Sequence, residues 1–355
     1  MLTILPKLQL DYVEFYITNF CNFNCNGCNR FNNYAFNGRQ EWLEYADLYR
    51  RWSEILNFKE FTILGGEPMT NPDYLEWLQG IIQLWPDARG SFLTNGYYLK
   101  SDNKSLYNLL NSTQGKVTLN IGLHNLNRKD TVLATVNDWL EGEVTITRYP
   151  DNLRQLYNFD RNWVASYSAI RDDLWPDCPT VDEWDLLSDN IKSECEMVHN
   201  FSPSLLAENL LGYRLTDTNG VTVLIQNENY FHQGALKPLA QSFKLHNSDP
   251  IQAHNICHSK FCHHFDKGLL YKCGQVSVIQ EFDQQFYLEL TPEDRELMQS
   301  YQPANIDNTY EELLQFIKNL DQPMPQCKFC PENYDIREIS AEHGKKIKFQ
   351  RKKNV

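Results

Sequence analysis

The chain has 355 residues and a formal charge of −13 at pH 7. This acidic balance makes nucleic-acid binding an unexpected function, because such binding needs a basic surface. The apolar fraction of 42% excludes a disordered chain. No apolar run reaches the length of about eighteen residues that a membrane span needs, and the N-terminus lacks the pattern of a signal peptide. We therefore expect a cytoplasmic protein that does not enter a membrane.

Strands and helices alternate over the first two thirds of the chain, as in parallel βαβ units. Asn71-Pro72 is a good N-cap and first-turn pair for one of these helices. Five or six such units predict a partial (β/α)6-type TIM-like barrel, or a full one, with its chemistry at the carboxyl ends of the strands. The predicted strands cover residues 12–18, 60–64, 91–94, 117–124, 144–148 and 163–169, and the predicted helices cover residues 40–56, 71 onward, 102–112, 128–140 and 152–157.

The pattern changes after this alternating part. Thr180-Val181-Asp182-Glu183 is a capping box that predicts a helix to His199, and residues 213–226 predict a hairpin. An amphipathic helix is predicted over 309–320. We expect a barrel over residues 1–210, a small α+β unit over 211–340, and a basic tail over 341–355 that is either poorly ordered or a docking tag for an acidic partner.

Ten cysteines in a cytoplasmic chain are more typical of metal ligands or catalysts than of disulfides, since that compartment keeps thiols reduced. Two of them are isolated. We interpret Cys195 as a core residue and Cys178 as a candidate for substrate contact. The other eight lie in two groups, near the start and near the end of the chain.

The first group is a C-x3-C-x2-C triplet, Cys21, Cys25 and Cys28, directly after the first predicted strand. Three thiolates on a cubane iron–sulfur cluster leave one iron open for a small molecule. Structural zinc sites instead favour four ligands in C-x2-C pairs, and no fourth ligand lies nearby. The triplet therefore favours an iron–sulfur cluster over zinc.

Two more motifs follow at predicted strand ends: Gly65-Gly66-Glu67-Pro68 and Thr94-Asn95-Gly96. The first alone is typical of an ordinary βα turn, but with the triplet the pattern over residues 8–170 resembles the radical S-adenosylmethionine (SAM) superfamily. The resemblance implies a [4Fe–4S] cluster on the three cysteines, with SAM bound to the open iron. It also implies cofactor contacts from Asn95 and from the four residues 65–68, where the two glycines allow close approach and Glu67 orients the SAM amino group.

The chain departs from the family pattern at two places. Gly27 stands where the family commonly has an aromatic residue near adenine, a role that Phe23 or Phe31 would then fill. Gly122 stands where a serine near the ribose is expected. For His124, two residues further on, a structural hydrogen bond is an equally good explanation. The residues that could replace the serine are Asn120, His124 and Asn125.

The second cysteine group resembles the auxiliary-cluster module called twitch, a shortened form of the SPASM domain. It consists of the spacing C-x10-G-x4-C from Cys257 to Cys273 and the distant pair Cys327 and Cys330. The resemblance implies an auxiliary [4Fe–4S] cluster with four thiolates, two from a hairpin and two from a tight turn. A zinc knuckle with the same ligands is the alternative.

Cys262 is surplus to this set and stands beside His263-His264. It could replace Cys257 as a ligand, donate a hydrogen atom as a catalytic residue, or be a buried thiol. These three interpretations stay open at the level of the sequence.

The resemblance implies an enzyme that reductively cleaves SAM and abstracts a hydrogen atom from a peptide, protein or polar metabolite. The auxiliary cluster would accept an electron or assist the substrate, and a flavodoxin- or ferredoxin-like protein would supply electrons. Only twenty residues precede Cys21, so we expect no fused leader-binding domain. The alternative is a non-catalytic iron–sulfur or zinc scaffold, or an electron-transfer protein, which would have no use for the glycine-rich turn.

Overall fold

The computed structural model describes residues 5–149, 212–228, 230–232, 244–257, 261–333, 336–338, 341–344 and 346. Several expectations lie outside these residues: the helices at 152–157 and 180–199, the strand at 163–169, and both isolated cysteines. None of the described helices is long and apolar enough to cross a membrane.

Eleven strands are described, and nine of them join into one sheet. Their alternation with helices in the first 150 residues agrees with the sequence pattern. The strands are β1 (Leu8–Tyr16), β2 (Leu56–Leu64), β3 (Arg89–Thr94), β4 (Val117–Leu123), β5 (Val144–Tyr149), β6 (Gly212–Asp217), β7 (Thr222–Asn227), β8 (Tyr230–His232), β9 (His263–Asp266), β10 (Leu269–Tyr271) and β11 (Ile336–Glu338).

The α-helices of the described part fall into two groups, four between the first strands and four after residue 249. The prediction of the helix over 309–320 is confirmed, but the sequence analysis missed the three before it. The helices are α1 (Trp42–Ile55), α2 (Tyr74–Leu84), α3 (Lys104–Ser112), α4 (Lys129–Trp139), α5 (Pro250–Asn255), α6 (Gly274–Phe286), α7 (Pro292–Gln299) and α8 (Tyr310–Lys318).

The large sheet has the order β10-β9-β1-β2-β3-β4-β7-β6-β5 and is open, which confirms the partial-barrel prediction rather than a full barrel. Neighbours from β9 to β7 run parallel. The predicted β5 exists, but the expectation of a fifth parallel strand beside β4 is wrong. The predicted hairpin of β6 and β7 inserts between them, so that β5 pairs antiparallel with β6 at the edge.

Strands from beyond residue 211 complete the same sheet as β1 to β4. β9 pairs with β1 on one side and β7 pairs with β4 on the other. The two expected units are therefore joined by backbone hydrogen bonds. The boundary between residues 210 and 211 stays a prediction.

One face of the sheet packs against helices and forms the main core. Val13 and Phe15 of β1 point to that face together with the fully buried Trp52 and Trp77. Because successive side chains on a strand alternate, Glu14 and Tyr16 point to the opposite face.

The start of α2 corrects one local prediction. The N-cap is Asp73 rather than Asn71. Asn71 instead donates from Nδ2 to the carbonyl oxygens of Ile17 and Gln40, both at 2.9 Å. Its side chain thus joins Ile17 and Gln40, the two ends of the segment that follows β1. That segment carries the first cysteine group.

Candidate metal and cofactor site

The first three cysteines share the loop between β1 and α1. Cys21 and Cys25 are buried, Cys28 is half-buried, and all three pack together with Phe23 and Ala341. The loop curls tightly: the amide of Phe23 donates to Cys21 Sγ at 3.4 Å, and the amide of Cys28 donates to the Cys25 carbonyl at 3.2 Å. The expected triplet is therefore gathered at the carboxyl end of β1.

Burial makes these thiols weak acids. It raises the pKa of Cys21 to about 12 and raises the pKa of Cys25 further. Without a cation both thiols stay protonated at neutral pH, whereas a bound metal would deprotonate them and release protons. Buried, mutually close thiols are a donor set that suits a thiolate-ligated iron–sulfur cluster.

The Gly65-Gly66 turn packs directly on this loop. The amide of Gly66 donates to the Thr18 carbonyl at 2.7 Å, and the amide of Glu67 donates to the Phe20 carbonyl at 2.8 Å. A Cβ on Gly65 would lie 2.7 Å from the Thr18 oxygen, and one on Gly66 would lie 2.2 Å from the Phe20 oxygen. Contact with the loop therefore requires both glycines, while their contact with a cofactor stays a prediction.

Glu67 joins two turns through its carboxylate, which is completely buried. Oε1 accepts from the Met69 amide at 3.0 Å and from Thr94 Oγ1 at 2.6 Å, and Oε2 accepts from the Asn95 amide at 2.7 Å. Burial raises the pKa of Glu67, and these hydrogen bonds oppose that rise. The observed role of this side chain is structural, and the expected contact with the SAM amino group stays a prediction.

Two further residues of the turns lie where the sequence placed them. Asn95 donates from Nδ2 to Asn22 Oδ1 at 2.8 Å and lies 4.0 Å from Cys21 Sγ. Pro68 is buried and begins a short 3-10 turn, Pro68–Thr70, for which Glu67 is the N-cap. The three motifs thus form one contiguous structure.

The end of β4 differs from the family expectation for a physical reason. A Cβ on Gly122 would lie 2.4 Å from Glu228 Oε2, so the carboxylate occupies the space of the expected serine. His124 Nδ1 lies 2.9 Å from the Glu228 carbonyl oxygen and Nε2 lies 3.8 Å from Oε2. Asn120 accepts from Thr118 Oγ1 at 2.9 Å. The structural explanation of His124 is observed, and Glu228 is a half-buried acid that no sequence motif marked.

The C-terminal segment lies on the cysteine loop. The amide of Asn24 donates to the Glu342 carbonyl at 3.2 Å, and the amide of Gly344 donates to the Asn22 carbonyl at 3.0 Å. Lys346 Nζ donates to the Phe23 carbonyl at 2.8 Å. Residues 341–344 and 346 thus make contacts with the cysteine loop that composition does not reveal, while the expected state of the tail as a whole stays a prediction.

Aromatic side chains at this contact settle which of two phenylalanines lies near the triplet. The ring of His343 stacks on Tyr97 at 4.0 Å and meets Phe23 edge-on at 6.4 Å. Phe31 packs instead on Phe282 of α6, at 4.8 Å. Only Phe23 of the two expected substitutes is packed among the cysteines.

The second cysteine group lines a cavity of about 40 Å³. All four expected cysteines contribute to its wall: Cys257, Cys273, Cys327 and Cys330. Cys273 follows β10 as the N-cap of α6, and the last two lie in and directly after the 3-10 turn Pro325–Phe329. The expectation that Cys257 comes from the hairpin is wrong, because it follows α5 instead.

Cys262 is buried directly before β9 and is not among the residues that line this cavity. Burial raises the pKa of its thiol. Across the described ranges, no group of three or more cysteine, histidine or acidic side chains is close enough to hold one metal ion.

A buried polar network beside Cys262 was not predicted. Glu14 Oε2 accepts from Arg30 Nη2 at 2.5 Å and from His264 Nδ1 at 3.1 Å. Burial lowers the pKa of His264 to about 4, so its imidazole is neutral and donates from Nδ1. The one available signal was Glu14, an acid between the apolar residues Val13 and Phe15.

Comparisons with known proteins add an assignment for the first part of the chain. Residues 15–162 match the family model described as the radical SAM superfamily. The GTP 3′,8-cyclase of Aliarcobacter butzleri (strain RM4018) is 27% identical over 38% of this chain and 40% of its own length. That of Crocosphaera subtropica (strain ATCC 51142 / BH68) is 31% identical over 34% of this chain and 35% of its own length. The chain thus spans two fifths or less of these relatives.

Similar solved structures include Streptococcus suis SuiB bound to S-adenosylmethionine, with 21% identity, 34% of this chain and 26% of that chain covered, and a TM-score of 0.28. BtrN in complex with AdoMet and 2-DOIA has 21% identity and a TM-score of 0.28, and the match covers 34% of this chain and 48% of that chain. These TM-scores are too low to support a conclusion. Residues 15–162, which match the radical SAM superfamily, are also the segment in which the cysteine triplet and the two turns form one structure.

Proposed function

We propose that the protein is a cytoplasmic radical SAM enzyme whose first cluster is held by Cys21, Cys25 and Cys28. The observation that carries this proposal is the contiguous packing of the cysteine loop on the Gly65-Gly66 and Asn95 turns. When bound and reduced, the [4Fe–4S] cluster and SAM supply a 5′-deoxyadenosyl radical that removes a hydrogen atom from the substrate. The reducing cytoplasm would keep the cysteines free to act as ligands.

The chain's own residues would hold and shield this chemistry. Glu67 joins the two turns through two hydrogen bonds, from the Thr94 hydroxyl and the Asn95 amide. The Asn95 side chain lies beside Cys21. Phe23 and His343 cover the loop with aromatic rings, and Lys346 brings a positive charge to the three thiols. A cation near thiolates favours their ionised form.

We further propose an auxiliary [4Fe–4S] cluster on Cys257, Cys273, Cys327 and Cys330. Their position around one cavity supports these four over a set that includes Cys262. A cluster with four thiolates has no open iron, which favours electron acceptance over substrate binding.

The substrate that we propose is a polar metabolite or a peptide, with electrons from a flavodoxin- or ferredoxin-like protein. The GTP 3′,8-cyclase relatives support a nucleotide among the polar metabolites to test first.

Cofactor cleavage tests the proposal directly. Protein reconstituted anaerobically should bind about eight irons and form 5′-deoxyadenosine from SAM with a reductant. Cys25→Ala should lower the iron by about four and abolish cleavage. Cys327→Ala should lower the iron by the same amount, retain some SAM cleavage, and block substrate turnover.

Cys262→Ala is the matched control, because this buried thiol lies outside the cavity. It should retain about eight irons, whereas Cys257→Ala should lose about four. The reverse result would transfer the ligand role to Cys262. Wild-type protein that binds its full complement of iron but cleaves no SAM would contradict the proposed enzymatic function and favour an electron carrier.

A further inference from the structure

A buried arginine lies between the two cysteine groups. Arg30 comes two residues after Cys28, and its guanidinium lies against Gly274, the residue after Cys273. A Cβ on Gly274 would approach Nη1 to 2.0 Å and Cζ to 2.2 Å. Gly274 is not among the residues with positive φ, so the contact with the guanidinium, and not backbone strain, requires a glycine here.

The guanidinium is fixed from its other side. Glu14 on β1 accepts from Arg30 Nη2, and the same carboxylate oxygen accepts from His264 on β9. All three side chains are nine-tenths or more buried. Paired strands therefore determine where Arg30 points, since β1 and β9 are hydrogen-bonded neighbours.

One donor of this arginine has no acceptor. Nη1 is buried and makes no hydrogen bond within the described part of the chain. A buried N–H without an acceptor is unfavourable, and such a group in a native structure calls for a ligand or an ion. Nη1 lies against Gly274, and Gly274 directly follows Cys273 in the chain.

Positive charge also accumulates at this place. The 13-residue helix α6 begins at Gly274, and its N-terminus carries a partial positive charge. Lys272 is buried in the cavity wall. Glu14 can balance only one of these charges. A negatively charged group held through Cys273 would balance the others.

We propose that Arg30 is a positioning residue for the auxiliary cluster, where it stabilises negative charge on the cluster held through Cys273 and so raises its reduction potential. This inference rests on the proposed function, since it requires that cluster. Groups that donate hydrogen bonds to cluster sulfurs and add positive charge favour the reduced state. Reduction adds one electron to the cluster, with no covalent bond formed or broken.

The test isolates the auxiliary cluster in a background that carries Cys21→Ala, Cys25→Ala and Cys28→Ala. Dithionite, acting through mediator dyes, supplies the electron, and electron paramagnetic resonance follows the reduced cluster as a function of potential. Arg30→Gln should shift the midpoint potential to more negative values. Gly274→Ala should shift it in the same direction, because its Cβ displaces the guanidinium, and Arg30→Lys should restore part of the difference.

Arg51→Gln is the control, because Arg51 pairs with Asp307 at the surface and its charge is screened by solvent. Its midpoint potential should equal that of the background. Unchanged potentials in Arg30→Gln and Gly274→Ala, with about four irons retained, would overturn the role of Arg30 alone. A background that binds no iron would overturn the auxiliary cluster and this role together. If Arg30→Gln loses its iron, the midpoint potentials of Gly274→Ala and Arg30→Lys test the role of Arg30 instead, and potentials equal to that of the background in both would overturn it.

Discussion

At the scale of residues, the interior of this protein holds several acids whose roles depend on what surrounds them. Glu67 is surrounded by donors and joins two turns, while Glu14 pairs with a guanidinium. Asp266 of β9 has less support: Gln40 Nε2 donates to it at 2.7 Å, and Glu281 adds a like charge. Its burial raises its pKa to about 7.

Asp266 should make folding stability fall as pH rises. The folded protein holds its proton up to a pH of about 7, whereas the unfolded chain loses it near pH 4. Stability from this group is complete below about pH 4 and is lost as pH rises to about 7, by up to about 4 kcal/mol. Asp266→Asn keeps an acceptor for Gln40 and should flatten this dependence.

The measurement is the free energy of unfolding in urea between pH 5 and 8, for the wild type and for Asp266→Asn. The difference between the two proteins isolates this carboxyl from all others. Parallel curves would contradict a raised pKa at Asp266. Asp47→Asn, at an exposed carboxyl on α1, serves as the control and should leave the pH dependence unchanged.

At the scale of elements, the loop after β1 and the turn after β2 are shaped by mutual contact. The Gly66 Cα faces the Phe20 carbonyl so closely that a methyl group has no room. Neither backbone can move alone, because the amides of Gly66 and Glu67 both bond to that loop. The two glycines thus allow the turn after β2 to pack against the cysteine loop and support it.

Gly66→Ala should therefore loosen the cysteine loop. The clash with backbone should cost about 1–3 kcal/mol of folding stability and lower the iron bound by the first site. Gly90→Ala is the matched control, since its Cβ would meet the Phe61 ring at 2.2 Å, away from the cysteines. Both variants should unfold more easily in urea, but only Gly66→Ala should lose iron. Full iron in Gly66→Ala would contradict the supporting role.

At the scale of the whole molecule, distant parts of the chain complete the site. β9 and β10 extend the sheet beyond β1, and residues 341–344 pair with the cysteine loop. Asn125 Nδ2 donates to the Ala341 carbonyl at 3.1 Å, which ties this segment to the end of β4 as well. The proposed first cluster site is thus contacted by residues 341–344.

Removal of residues 341–355 should expose the first cluster. We expect its loss to a chelator to become about tenfold faster, because the second layer of contacts around the ligands is gone. The decay of visible absorbance after addition of the chelator measures this rate. Removal of residues 347–355 alone is the control and should leave the rate unchanged, since Lys346 and His343 remain. Equal rates in both truncated proteins would contradict a closing role for 341–346.

Local features were predictable because their cause lies within a few residues. Neighbouring residues alone show the alternation of a strand and the periodicity of a helix. They also show the spacing of Cys21, Cys25 and Cys28. The capping box at Thr309 and Glu312 was not recognised, yet the helix itself was, since its apolar spacing was sufficient. α6 was missed because its first residues, with Val276 and Val278, have the alternation of a strand.

The sequence by itself determined the family pattern, the order of strands and helices in the first 150 residues, and the two groups of cysteines. Tertiary structure alone decided that Glu228 replaces the expected serine, that Cys262 lies outside the cavity, and that Arg30 lies between the two groups. It also decided that β5 lies at an edge and that residues 341–344 lie on the cysteine loop. The physical reason is that spacing depends on neighbouring residues, whereas these contacts join residues up to about three hundred positions apart, and only packing of the whole chain selects them.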